Sequence, residues 1–120
     1  MGNIKFNYLY RDGGNYKNWA DVTFFNPDNL SVHMLARSFR AAFDDNLFIA
    51  HQVRIPEVFS FPDGIVTSDD HCYHEFDNVE ITEDIPNDLF VRSIGQFLAE
   101  VKAAAAIGWR AFYREPTRTA

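Results

Sequence analysis

A single cysteine, Cys72, stands in a chain of 120 residues. One thiol closes no intrachain disulfide, which excludes a stapled secreted scaffold and sets the expectation of a reducing, cytoplasmic location. Long apolar runs are missing as well: none approaches the roughly 20 residues that a membrane-spanning helix needs. The opening residues MGNIKFNY lack an apolar signal region, so no export is expected. Phe6 stands where a myristoylation signal places Ser or Thr. Positive charge is scarce: 11 Lys and Arg against 17 Asp and Glu leave a net charge of −6. Generic binding to a nucleic-acid backbone needs a positive footprint, so it is not expected. No Gly-x-Ser-x-Gly, P-loop or dinucleotide fingerprint occurs, and no cofactor is expected.

Phenylalanine, in contrast, is abundant, with 12 copies in a chain that is 47% hydrophobic. Each ring buries a large area, so few residues fill a core. The length fits one domain over residues 1–120, with a polar tail at 115–120 expected to fray.

Hydrophobic periodicity predicts the elements. Ile4, Phe6, Tyr8 and Tyr10 share one face and Lys5, Asn7, Leu9 and Arg11 the other, a strand. Asp12-Gly13-Gly14-Asn15 turns the chain, and Trp19 to Phe25 forms the second strand of a hairpin. Asn26-Pro27-Asp28 ends it. Leu35, Phe39, Ala42 and Phe43 lie on one helical stripe within 30–43, with Ser31 or Asn29 as the N-cap. Asp44-Asp45-Asn46 closes that helix. Leu47 to Ile55 alternates as a third strand, with Leu47, Ile49, His51, Val53 and Ile55 on one face. After Pro56, residues 58–61 form a short apolar run and Pro62-Asp63-Gly64 a turn. Tyr73 to Thr82 predicts a fourth strand, in which Phe76 is opposite in facing to Val79 and Ile81, so a bulge or a twist is expected. Ser93 and Gln96 form a capping box for a second helix whose stripe is Ile94, Phe97, Leu98, Val101 and Ala105. Gly108 sits at its C′ position. Trp109 to Arg114 alternates as a final strand. The expected fold is therefore α+β, in the order β-β-α-β-β-α-β, mostly antiparallel with two helices packed on one face. Ala103 to Ala106 favours helix by propensity alone, and also offers a smooth face for close approach of another element.

Two segments carry a resemblance. Lys5-Phe6-Asn7-Tyr8-Leu9-Tyr10-Arg11-Asp12 with Gly14-Asn15-Tyr16-Lys17-Asn18 is similar to the opening of a family of small bacterial proteins of unassigned function. Asp70-His71, His74-Glu75-Phe76 and Val79-Glu80 resemble it too. The resemblance spans most of the chain and implies a shared fold, but no activity.

Two constellations are candidates for chemistry. Residues 69–77 hold His71, Cys72, His74 and Glu75 among aspartates, which supplies every ligand type that zinc uses. On a strand, however, positions three apart face opposite ways, so His71 and His74 are expected to diverge. No second His or Cys pair exists, since His33 and His51 are isolated. An acidic neighbourhood is expected to disfavour Cys72 as a nucleophile. A metal-dependent hydrolase on His71, His74 and Glu75 is therefore the weaker expectation. The second constellation combines Arg54, Arg110 and Arg114 with Tyr10 and Trp19. Guanidinium forks hold anions and flat rings stack on bases, so these residues are candidates for a nucleotide-like ligand. The same residues also fit ordinary ion pairing and packing. Without a coherent catalytic set, the expectation is a non-catalytic binding protein. It would be a homo-oligomer that holds a small anionic ligand near a subunit interface or blocks a partner protein.

Overall fold

A computed structural model of the chain describes residues 2–59, 66 and 70–114. It contains β1 (Asn3–Arg11), β2 (Lys17–Phe24), α1 (Val32–Ala42), β3 (Leu47–Phe48), a short 3₁₀ helix (Ala50–Val53), β4 (His74–Thr82) and α2 (Ile94–Ile107). The strands form one four-stranded sheet in the order β2-β1-β4-β3, and every pairing is antiparallel. The α+β class holds. The expected turn at Pro62-Asp63-Gly64, parts of the 58–61 run and the tail at 115–120 lie outside the described residues.

The core lies between one face of the sheet and both helices. Ile4, Phe6, Tyr8 and Tyr10 are fully buried along β1. The Phe6 ring sits at the centre, 5.1 to 6.2 Å from Phe39 of α1, Phe43 at its C-cap, Phe97 of α2, and Phe48 and Phe76 of the sheet. Edge-to-face geometry dominates these contacts, the arrangement the ring quadrupole favours. Since α1 and α2 both reach Phe6, both helices pack on this face.

Local chemistry explains the boundaries. The Ser31 hydroxyl accepts the Met34 N–H and caps α1. Ser93 and Gln96 satisfy each other's backbone N–H groups in a complete capping box. Gly108, at φ 112°, takes a conformation that favours glycine and ends α2. Asp45 and Asn46 both have positive φ between the paired Asp44 and Leu47, the primed two-residue turn that suits a hairpin. In β4, Phe6 pairs with Val79 and Asn7 with Asn78, but Tyr8 pairs with Phe76. Asp77 is thus the extra residue of a bulge, which puts Phe76 and Val79 on the core face together.

Two expected strands differ. The third strand, expected over 47–55, is only two residues long, and the chain then coils into the 3₁₀ helix. Phe48, Ile49 and Ala50 are all buried in succession, which a pleated strand with one solvated face does not permit. The 3₁₀ turn points Ala50 and Val53 into the core and leaves His51 exposed. The final strand, expected over 109–114, does not form. Side chains tie this segment down instead: the Gln52 Oε1 accepts the Arg110 N–H at 2.6 Å, and the Trp109 indole N–H donates to the Ala42 carbonyl at 3.1 Å. Alternation in a sequence marks two unlike faces, and these anchors supply them without a pairing strand.

Candidate functional site

The C-terminal end of β1 carries a buried polar cluster built on Tyr10. The Tyr10 hydroxyl donates to Asp70 Oδ1 at 2.6 Å and accepts the His71 backbone N–H at 2.9 Å. Arg114 Nη1 reaches the same hydroxyl at 3.3 Å and Asp70 Oδ1 at 3.6 Å. The Arg114 guanidinium lies 3.4 Å from the centre of the Phe59 ring. Burial first, and then the bond to Asp70, push the Tyr10 phenol up to about 12. Tyr10 is thus a neutral donor at any ordinary pH.

His71 and His74 flank Tyr10, with ring centres 5.0 and 5.6 Å from its own. The two imidazoles, expected to diverge along a strand, both pack on the Tyr10 ring. His71 precedes β4 rather than lying in it, so strand facing does not apply to it. The two rings nonetheless address different groups. His71 Nδ1 accepts the Tyr73 N–H, so its proton is assigned to Nε2, 2.6 Å from the Arg11 carbonyl. His74 Nε2 accepts the Val58 N–H, so its proton is assigned to Nδ1, near the Cys72 carbonyl but short of hydrogen-bond geometry. Burial pushes His74 down to about 4 and keeps it neutral. Glu75 lines a surface groove with His71, while His74 is buried, and binds Arg11 Nε and Nη2 through its two oxygens at 3.3 and 3.2 Å. The triad His71, His74 and Glu75 therefore does not converge. Among the described residues no three His, Cys, Asp or Glu groups are placed to hold a metal ion. Cys72 is buried, and its Sγ accepts the Phe112 N–H.

Of the residues singled out for an anionic ligand, only Tyr10 and Arg114 come together. Arg54 follows the 3₁₀ helix, pairs with Glu100 of α2 and stacks 4.1 Å from the centre of Phe90. Arg110 lines an open groove of about 380 Å³ with His51, Gln52, Glu100, Ala104 and Ile107. Trp19 stands half exposed on β2, the outermost strand at one end of the sheet. The alanine run is divided: Ala105 and Ala106 line a groove with Ser38, Ala41 and Ala42, and Ala103 and Ala104 line the Arg110 groove.

One more residue, Arg92, organises the surface beside α2. Its side chain is 5% exposed and binds Asp88, Glu100 and the carbonyls of Val53 and Arg54. Burial alone would raise the Asp88 carboxyl, but hydrogen bonds and charge from Arg92 hold it below its ordinary value. This pair closes a loop whose apolar side chains point outward. Ile85 is 85% exposed, Leu89 82% and Val91 70%, with Phe90 at 49%. Val91 adopts φ 52°, a left-handed conformation that a β-branched residue rarely takes. The far end of the loop is equally anchored, through Lys5 to Asp84 at 2.7 Å and the Asn87 N–H to the Thr23 carbonyl at 3.0 Å. The sequence signal was available in the i, i+4 spacing of Asp88 and Arg92, with Leu89-Phe90-Val91 between them.

Among the described residues, no helix is long and apolar enough to cross a membrane. No protein-family model, no curated protein and no solved structure matches the chain.

Proposed function

We propose that this chain is a non-catalytic binding protein that docks a partner protein through the loop at 85–91. The observation that carries the reading is the combination of exposure and anchoring. Four apolar side chains are presented to solvent within seven residues, on a loop tied at both ends and held by a buried ion pair. Contiguous apolar surface of this kind marks interaction sites, and an anchored loop loses little entropy when it binds. Glu83 and Asp84 precede the apolar residues, and the chain carries a net charge of −6. The partner of matching chemistry offers an apolar groove with a basic rim.

The small-anion version of a binding role has less support. Arg54 and Arg114 already hold carboxylates, which leaves Arg110 and its open groove to receive such a ligand.

The test is the double variant Leu89→Glu with Val91→Glu, tagged and expressed in the native host beside the wild type. Both positions are solvent-exposed, so the unfolding free energy from urea titration is expected to stay within about 0.5 kcal/mol of wild type. Quantitative mass spectrometry of the two purifications should show one protein lost from the variant. Identical co-purifying sets would overturn the reading. A nucleotide that stabilises the wild type but not Arg110→Ala would favour the small-anion version instead.

A further inference from the structure

Among the described residues, the outer edge of β2 is unpaired from Lys17 to Asp21 and carries a self-complementary pattern. Asp12 and Tyr16 are joined by a backbone hydrogen bond at the mouth of the hairpin, so the even-numbered residues of β2 bond to β1. The odd-numbered residues direct their N–H and C=O groups away from the sheet. Thr23 verifies this parity, since its carbonyl and its N–H both bind Asn87 on the outer side. Lys17, Trp19 and Asp21 follow the same parity. Among the described residues none bonds the outward backbone groups of Trp19 or Asp21. Their side chains, with that of Lys17, are exposed on the face opposite the helices. Leu9, the cross-strand neighbour of Trp19, is buried on that face.

We propose that the chain pairs with a second copy of itself through this edge, antiparallel and centred on Trp19. In that register Trp19 opposes Trp19 of the second copy, and Lys17 opposes Asp21 in both directions. The three opposed pairs are all of the hydrogen-bonded kind, because each member points its N–H and C=O outward. The two sheets become one continuous sheet with the helices of both copies on the same side. Two opposite-charge pairs flank a pair of indoles, a combination that stabilises cross-strand contacts. Any other antiparallel register displaces the lysines from the aspartates, so charge selects this one. Asn87, bonded to Thr23, limits the pairing to residues 17–21. Edge-to-edge addition of this kind draws its affinity from main-chain bonds and its selectivity from the alternate side chains.

The experiment is native mass spectrometry of the wild type, Lys17→Glu, Asp21→Lys and an equimolar mixture of the two variants. The wild type should form a dimer at micromolar concentration. Each variant places like charges opposite each other twice, and its dimer should be about tenfold weaker. The mixture restores both opposite-charge pairs, so a heterodimer carrying one copy of each variant should dominate. Far-UV circular dichroism checks that all three proteins fold. A monomeric wild type overturns the proposal, as does a dimer that both variants leave unchanged or a mixture that forms no heterodimer. A wild-type monomer that binds another protein through β2 overturns it equally, because the occupant is then not a second copy.

Discussion

Arg92 grips both carboxylate oxygens of Asp88, through Nε at 2.9 Å and Nη2 at 2.8 Å, across a four-residue step that carries Leu89, Phe90 and Val91. The pair is buried, and Arg92 also satisfies the carbonyls of Val53 and Arg54. Arg92→Met should destabilise the protein by about 3–5 kcal/mol, because it strands a buried carboxylate and two carbonyls. Urea unfolding measures this. A loss under about 1 kcal/mol would mean that the pair does not hold the loop.

Val91 provides a second check on the same loop. A left-handed conformation costs a β-branched residue about 1–2 kcal/mol. Glycine removes that strain while adding unfolded-state freedom worth roughly 0.5–1 kcal/mol. The Val91 side chain is mostly exposed, so its loss removes little packing. Val91→Gly should therefore leave thermal stability unchanged or raise it slightly. A fall of more than about 1 kcal/mol would contradict the strain argument.

His74 makes stability depend on pH in a definite direction. Its folded pKa, about 4, lies below the ordinary value of 6.5. The unfolded chain therefore binds a proton between these limits that the folded chain refuses. This contribution is fully present above about pH 6.5 and is lost as the pH falls toward 4, on the order of 3 kcal/mol in all. His74→Gln keeps an acceptor for the Val58 N–H but does not titrate. The stability gap between wild type and variant should be widest near neutrality and narrow in acid, as read by urea unfolding across the range. A gap independent of pH would show that His74 is not held neutral by the fold.

Tyr10→Phe removes the hydroxyl that joins Asp70, His71 and Arg114. Losing a buried hydrogen-bond hub should cost about 1–3 kcal/mol. Equal stability of variant and wild type would mean that the remaining groups repair the cluster alone.

The sequence made the local devices legible and left the long-range ones hidden. Ser31 and the Ser93–Gln96 box act within a few residues and appear where their chemistry places them, and Gly108 ends α2 as the C-cap itself, one position before the expected C′. The bulge at Asp77 was readable because Phe76 and Val79 break an alternation that both must satisfy. Residues 47–55 and 109–114 alternate as well, yet one coils and the other hangs on side-chain anchors, because alternation records faces and not partners. His71 and His74 meet at Tyr10, some sixty residues away in sequence, and no spacing rule reaches that far. Arg114 was singled out as an anion ligand, and the anion beside it is Asp70 of the same chain.

The claim that the loop at 85–91 is a contact surface is tested most directly by site-specific photo-crosslinking in the native host. A photoreactive phenylalanine analogue replaces Leu89, and the same group at Arg37, an exposed position of α1, serves as control. One discrete crosslinked protein at position 89, absent at position 37, is the predicted result. No crosslink at position 89, or the same products at both positions, would contradict the account.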